Sequence, residues 1–287
     1  MRVLIIGGSG FLGIHLTEEL AKKGYKINVL DIKKPYNLNK KVKFFHGDIT
    51  KSKTLTRAIQ NCKIVFHLGG ISDIKYSIKN PYKTININVM GTMNVLDLCV
   101  RNKIKKLIFA SSIYVKSTQG GFYKVSKQSS ESIIKEYSKR FGIKFCILRY
   151  GSVYGPGSSV NNGITKILNS YINTKKFHYD GTIRAKRRFI YVKDAVSSTI
   201  KTIDKKFDNK IVLITGSKLM KINEVMKVIS KILMINKKPV YKNKQELGHY
   251  NTSPFSLEKE KVINLFVDNK KNFNSNILNL YKILSKA

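Results

Sequence analysis

Short apolar runs alternate with helix-length amphipathic segments over roughly the first 150 residues. RVLII (2–6), YKINVLD (25–31), VKFFHGD (42–48), KIVFHLGG (63–70), KKLIFASS (105–112) and IKFCILRYG (143–151) each read as a strand. Runs this short and this uniformly apolar suit strands covered on both faces. The intervening segments carry helical spacing. GFLG opens an amphipathic helix that runs to about Lys23, with Gly24 where it stops, and KSKTLTRAIQ reads as a shorter helix. Asn80-Pro81 opens a long helix in which Val89, Met93, Leu96 and Val100 share a face, and Tyr123 to about Phe141 forms another. Strands and helices in strict alternation predict an α/β fold, a doubly wound parallel sheet.

After GSVYGPGSSVNNG (151–163) the rhythm loosens into shorter elements, which predicts a smaller C-terminal lobe. The expected division is a dinucleotide-binding domain over 1–155 and a mainly substrate-binding lobe over 156–287. Strand and helix returns to the sheet are expected from about 187–216, IVLITG (211–216) among them. No apolar run approaches the ~18 residues of a membrane span. Met1 leads almost directly into a strand without a signal-peptide pattern, so a cytoplasmic protein is expected.

Composition changes this picture little. Cys62, Cys99 and Cys146 are widely spaced in or beside apolar segments and lack CxxC spacing, so buried thiols are expected and no metal site. The formal charge of +37 raises the question of nucleic acid. The basic residues are spread through nearly every segment and define no stripe or tail, which argues for a solvated basic surface and against a nucleic-acid partner.

The chemistry begins at Gly7-x-x-Gly10-x-x-Gly13, which encloses Phe11 and Leu12 and sits between a strand and a helix. In that context the glycines allow a tight turn and bring backbone N–H groups at a helix N-terminus against a pyrophosphate. The sheet is therefore expected to be of the Rossmann type. Asp31 ends the second strand 18 positions after Gly13, where a carboxylate hydrogen-bonds an adenosine ribose. Its charge repels the extra phosphate of NADP, so NAD is the expected cofactor, although Lys33 and Lys34 follow directly. Asp48 and Ile49, after the third strand, are placed to frame the adenine.

Several segments then fall in a familiar order: the glycine loop, VFHLGG (65–70), NVMGTMNVL (88–96), the set Ser112, Tyr123 and Lys127, LRYGSVYGPG (148–157) and RRFIYVKDA (187–195). Over about two-thirds of its length the chain resembles the extended short-chain dehydrogenase/reductases, the NAD-dependent epimerase/dehydratase family. Tyr-x-x-x-Lys also occurs at Tyr36/Lys40 and Tyr171/Lys175, but only Tyr123 opens a helix after a strand ending in Ser-Ser. Tyr123 and Lys127, four apart, share a helix face. A free phenol, with a pKa of ~10, is a poor base near neutrality. A nearby ammonium, a cationic nicotinamide and a helix N-terminus all favour the phenolate. The resemblance implies that Tyr123 shuttles a proton, that Ser112 steadies the same substrate oxygen, that Lys127 also holds the nicotinamide ribose and that Leu68 and Gly69 flank the cofactor. It implies further that Arg187 contacts a substrate diphosphate, that Asn161 lines the substrate pocket and that the protein forms a homodimer through the helices at about 80–101 and 123–141.

Three departures bear on the reaction and its substrate. Ser112 and Tyr123 are only 11 residues apart, which implies a shorter cover and a more open site than in the sugar epimerases. Ile113 and Tyr114 stand where dehydratases of the family carry acids, so elimination is disfavoured. No arginine follows Arg188, so a second, C-terminal phosphate arginine is missing. The expected activity is an NAD-dependent nucleotide-sugar epimerase acting at carbon 4 through a transient keto intermediate. The alternatives are an NAD(P)H-dependent reductase of a keto-sugar nucleotide and a non-catalytic dinucleotide-binding protein.

Overall fold

The computed structural model describes residues 1–35, 41–242, 248–254, 262–267 and 272–286. Eight strands form one sheet: β1 (Arg2–Ile6), β2 (Lys26–Asp31), β3 (Val42–His46), β4 (Ile64–His67), β5 (Lys106–Ser112), β6 (Lys144–Tyr150), β7 (Lys210–Gly216) and β8 (Val262–Val267). Their spatial order is β8-β7-β6-β5-β4-β1-β2-β3, and every pairing is parallel. This is the expected Rossmann-type doubly wound sheet. Chain order reverses between β1 and β4, and a ligand crevice is expected beyond the carboxyl ends of the strands at that point.

Alternation along the strands sends side chains to two separate cores. Val3 and Ile5 of β1 join Ile27, Val29, Phe66 and Ile108 on one face, while Leu4 and Ile6 join Leu30, Val65, Leu107 and Phe109 on the other. The first face is covered by α1 (Phe11–Lys22) through Leu16 and Leu20 and by the helix Val192–Lys201, and the same apolar cluster continues into the helices Gly163–Thr174, Ile222–Ile232 and Phe273–Leu284. The second is covered by α2 (Ser52–Ile59), by a long helix α4 (81–101) and by α5 (Gly121–Phe141). A short helix that the sequence pattern does not announce, α3 (Ile74–Lys79), precedes α4 and is capped by Asp73, whose carboxylate accepts from the Tyr76 N–H at 2.9 Å.

Helix α4 starts with Pro81 in its first turn, as the Asn80-Pro81 pair predicts, and runs as Pro81–Ile85, a π-helical turn Asn86–Met90 and Gly91–Arg101. Its buried face differs from the apolar stripe read in the sequence. Thr92, Val95, Leu96 and Cys99 are fully buried, whereas Met93 and Val100 are half-buried. The contact with α5 is polar: the Asn88 amide donates to Ser126 Oγ at 2.9 Å, and Ser130 Oγ donates to the Asn88 carbonyl at 3.0 Å. Of the expected stripe, Val89 and Leu96 are buried.

All three cysteines are free and buried, and burial pushes their thiols up, Cys62 to about 11 and Cys146 to about 12. Among the described residues no helix is long and apolar enough to cross a membrane.

Candidate active site

A cavity of about 540 Å³ opens at the carboxyl ends of the strands, where chain order reverses. Its wall contains Gly7, Gly10, Phe11, Leu12, Gly13, Asp31, Asp48, Ile49, Leu68, Gly69, Ser112, Tyr123 and Lys127, so every expected cofactor residue and the Ser–Tyr–Lys set meet in one place.

At one end lies the glycine loop. Gly7 has φ +78°, and a Cβ there would stand 2.6 Å from the Gly69 nitrogen, so the turns after β1 and β4 touch backbone to backbone. A Cβ on Gly13 would stand 2.1 Å from the Gly7 carbonyl oxygen, which shows how tightly the first turn of α1 is folded onto the loop. That turn carries no acidic side chain of its own, so its N–H groups and the positive end of the helix dipole face the cavity. Asp31 is fixed by two backbone donors: the Ser9 N–H reaches Oδ2 at 2.9 Å and the Lys33 N–H reaches Oδ1 at 3.2 Å. A cradle into which no Cβ fits, a helix N-terminus and an anchored carboxylate together suit an adenosine diphosphate.

At the other end stand Ser112, Tyr123 and Lys127. Gly120 has φ +112° and a Cβ there would press on the Tyr114 ring at 2.9 Å, so the left-handed Gly120 lets the chain turn sharply into α5. The Tyr123 N–H is then satisfied by Ser77 Oγ at 3.2 Å, from α3. Tyr123 and Ser112 line the same wall of the cavity. Burial pushes the Tyr123 phenol up to about 12, with the Ser112 hydroxyl opposing and the nearby Tyr250 adding to the rise. Lys127 is buried, donates to the Ala110 carbonyl at 2.8 Å and lies over the Phe109 ring at 4.7 Å. Burial lowers it to about 8, with Glu131 pulling the other way. It is thus a cation held poised near neutrality.

Arg187 and Asn161 are not among the lining residues of this cavity. Arg187 donates to the carbonyls of Lys186 and Asn251 at 3.0 and 2.9 Å, and its guanidinium stacks 4.4 Å from the Tyr250 ring. Tyr250 in turn packs 4.5 Å from Tyr114, which meets Tyr123 edge-on at 6.2 Å and hydrogen-bonds His249 Nδ1 at 2.8 Å. The short connection between Ser112 and Tyr123 is therefore covered from the C-terminal segment by His249 and Tyr250. Asn161 donates to Asp73 Oδ2 at 3.1 Å, beside the cavity-lining Ser72.

Sequence reasoning missed the residues that hold this set in place. Asn88 clamps the loop after β4, accepting from the Ile71 N–H at 2.7 Å and donating to the Ile71 carbonyl at 2.9 Å. His67 is buried, and the Thr92 hydroxyl, which donates to the Asn88 carbonyl at 2.6 Å, accepts from its Nε2 at 3.0 Å. Burial and the Lys127 charge lower His67 to about 3, so the ring is neutral. Glu131, four residues beyond Lys127, continues the spacing of Tyr123 and Lys127 along one helix face. That spacing was the available signal.

Residues 3–214 match the NAD dependent epimerase/dehydratase family, and the chain belongs to it. A Methanocaldococcus jannaschii protein provisionally named UDP-glucose 4-epimerase is 27% identical, with 94% of this chain and 90% of that protein aligned. A dTDP-D-glucose 4,6-dehydratase of Dictyostelium discoideum is 31% identical over 69% of this chain and 54% of its own length. The fold is also that of the UDP-glucose 4-epimerase of Thermus thermophilus, solved as a complex with NAD, at a TM-score of 0.83, 23% identity and full coverage of both chains.

Proposed function

We propose that the protein is an NAD-dependent nucleotide-sugar 4-epimerase with Tyr123 as its proton shuttle. The observation that carries the reading is the placement of Tyr123, beside Ser112 in the cavity wall and one helical turn from Lys127, in the same cavity as a glycine cradle and Asp31. Family membership and the epimerases among its relatives support it. The dehydratase relative is a weaker guide, because elimination needs an acid at the substrate and Ile113 and Tyr114 provide no carboxylate there.

Gly7, Gly10, Gly13 and the first turn of α1 would hold the pyrophosphate of NAD, Asp31 the adenosine ribose, Asp48 and Ile49 the adenine, and Lys127 the nicotinamide ribose. The chemistry NAD supplies when bound is reversible hydride transfer at carbon 4 of the sugar. Tyr123 takes the proton from the 4-hydroxyl and later returns it, and Ser112 donates to the same oxygen as charge develops there. The Lys127 ammonium, together with the cationic ring bound beside it, opposes the burial that holds the phenol up. Arg187, backed by Tyr250, and the Asn161 loop form the substrate end, where a guanidinium fork matches a diphosphate. The C-terminal segment from residue 156 acts mainly as the substrate-binding lobe.

Asp31 sets the cofactor. Asp31→Asn keeps an acceptor for Ser9 but removes the charge that repels a ribose phosphate, so the ratio of NADP to NAD affinity should rise about tenfold. An unchanged ratio in calorimetric titrations would remove Asp31 from this role. A homodimer through α4 and α5 is supported by the large apolar side chains they expose, Tyr82 at 85% and Met90 at 48% on α4 and Phe122 and Phe141 on α5. Sedimentation of Tyr82→Glu/Met90→Glu as a monomer, beside a wild-type dimer, is the expected result.

The test of the activity is incubation of the purified protein with NAD and a panel of UDP- and dTDP-linked hexoses. The expected result is interconversion of 4-epimers without net change in NADH absorbance. Stoichiometric consumption of NADH with a 4-keto sugar would make it a reductase instead.

A further inference from the structure

The buried face of α5 is polar along its first three turns: Tyr123, Ser126, Lys127, Ser130 and Glu131 all lie inside, and the first apolar residue on that line is Ile134. Ser126 and Ser130 are accounted for by Asn88. Glu131 is different, since it is a carboxylate 4% exposed beneath a catalytic set that makes no direct use of it. It accepts from Ser111 Oγ at 2.5 Å, from Arg149 Nε at 3.0 Å and from Arg149 Nη2 at 2.6 Å. Arg149 is 3% exposed, and Ser111 and Arg149 are register partners across β5 and β6. One carboxylate thus pins α5 to the strand ends that carry Ser112 on one side and the cavity-lining Tyr150 on the other.

An ion pair this deep rarely adds stability over a well-packed apolar pair, so a stabilising role alone does not explain it. Its setting offers another account. Among the described residues, the titratable groups near the Lys127 ammonium are His67 from β4 and Tyr123 and Glu131 from its own helix, with Arg149 of β6 paired to Glu131. His67 is neutral, so Glu131 is the negative charge among them, and it stands one helical turn from the amine. Arg149 holds the carboxylate in place through two guanidinium donors.

We propose that Glu131 is a positioning residue: clamped by Arg149 and Ser111, it keeps Lys127 charged and directed at the nicotinamide end of the cavity. The proposal rests on the assignment of Lys127 to the active site. The ammonium is the form that assists Tyr123, so loss of the Glu131 charge should deprive the site of it at lower pH.

The test follows Lys127 itself. Wild-type protein is pulsed with acetic anhydride across a pH series, and acetylation of Lys127 is quantified by peptide mass spectrometry. In wild type the amine should titrate near about 8. In Glu131→Gln/Arg149→Met, where both buried charges are removed together, the midpoint should fall by about one pH unit. In Glu131→Gln alone it should fall further, because Arg149 is then an uncompensated neighbour. If the single variant does not fold, the double variant decides alone. A midpoint in the double variant equal to wild type would overturn the proposal, since a merely structural brace changes stability without moving the amine. The measurement needs neither substrate nor dinucleotide, so its failure is distinct from failure of the epimerase assay.

Discussion

Tyr123→Phe should lower turnover by a factor on the order of 10³ while leaving NAD affinity unchanged, because it removes one oxygen and nothing that holds the dinucleotide. The phenol is the group in the cavity placed to exchange a proton with a sugar hydroxyl: it shares the cavity wall with Ser112, is fixed at its backbone by Ser77 and is set one turn before Lys127. The ring of Phe fills the same space against Tyr114, so the fold should be undisturbed. Single-turnover and steady-state assays on the two proteins measure the effect. Retained activity would show that the proton leaves by another route.

Gly13→Ala should weaken NAD binding by roughly 100-fold. The added methyl would lie 2.1 Å from the Gly7 carbonyl oxygen and 2.6 Å from the Gly8 Cα, both backbone atoms that cannot swing away. The first turn of α1 must therefore move off the loop, and with it the N–H groups that meet the pyrophosphate. Calorimetric titration with NAD, on protein whose circular dichroism matches wild type, reads this directly. Binding of undiminished strength would mean that the dinucleotide lies elsewhere.

Much of the fold was legible because the sheet is parallel and covered on both faces. Its inner strands then become short apolar runs such as RVLII and KKLIFASS, which alternation and turn glycines delimit. β8 was not legible: Val262–Val267 lies at the sheet edge with Asn264 and Phe266 exposed, so its pattern resembles any half-exposed strand. The glycine loop and Asp31 could be read because strand, turn and helix follow each other within thirty residues. Choosing among the three Tyr-x-x-x-Lys pairs needed that same context. Tyr171/Lys175 closes a helix, with the lysine at its C-cap and its amine 5.5 Å from the tyrosine ring centre, while Tyr36/Lys40 lies outside the described residues. The supporting shell was hidden for a different reason. Asn88, Glu131 and Arg149 meet only after α4, α5, β5 and β6 are assembled, and a polar residue on a helix reads as exposed until its partner is known.

The central claim, that carbon 4 is oxidised and then reduced from its other face without exchange with water, is tested most directly by an isotope label. A nucleotide hexose carrying deuterium at carbon 4 is equilibrated with the enzyme and NAD in ordinary water, and the 4-epimer is examined by mass spectrometry and NMR. The account predicts that the product keeps its deuterium at carbon 4. Loss of the label to solvent at the same rate as epimerisation would contradict it.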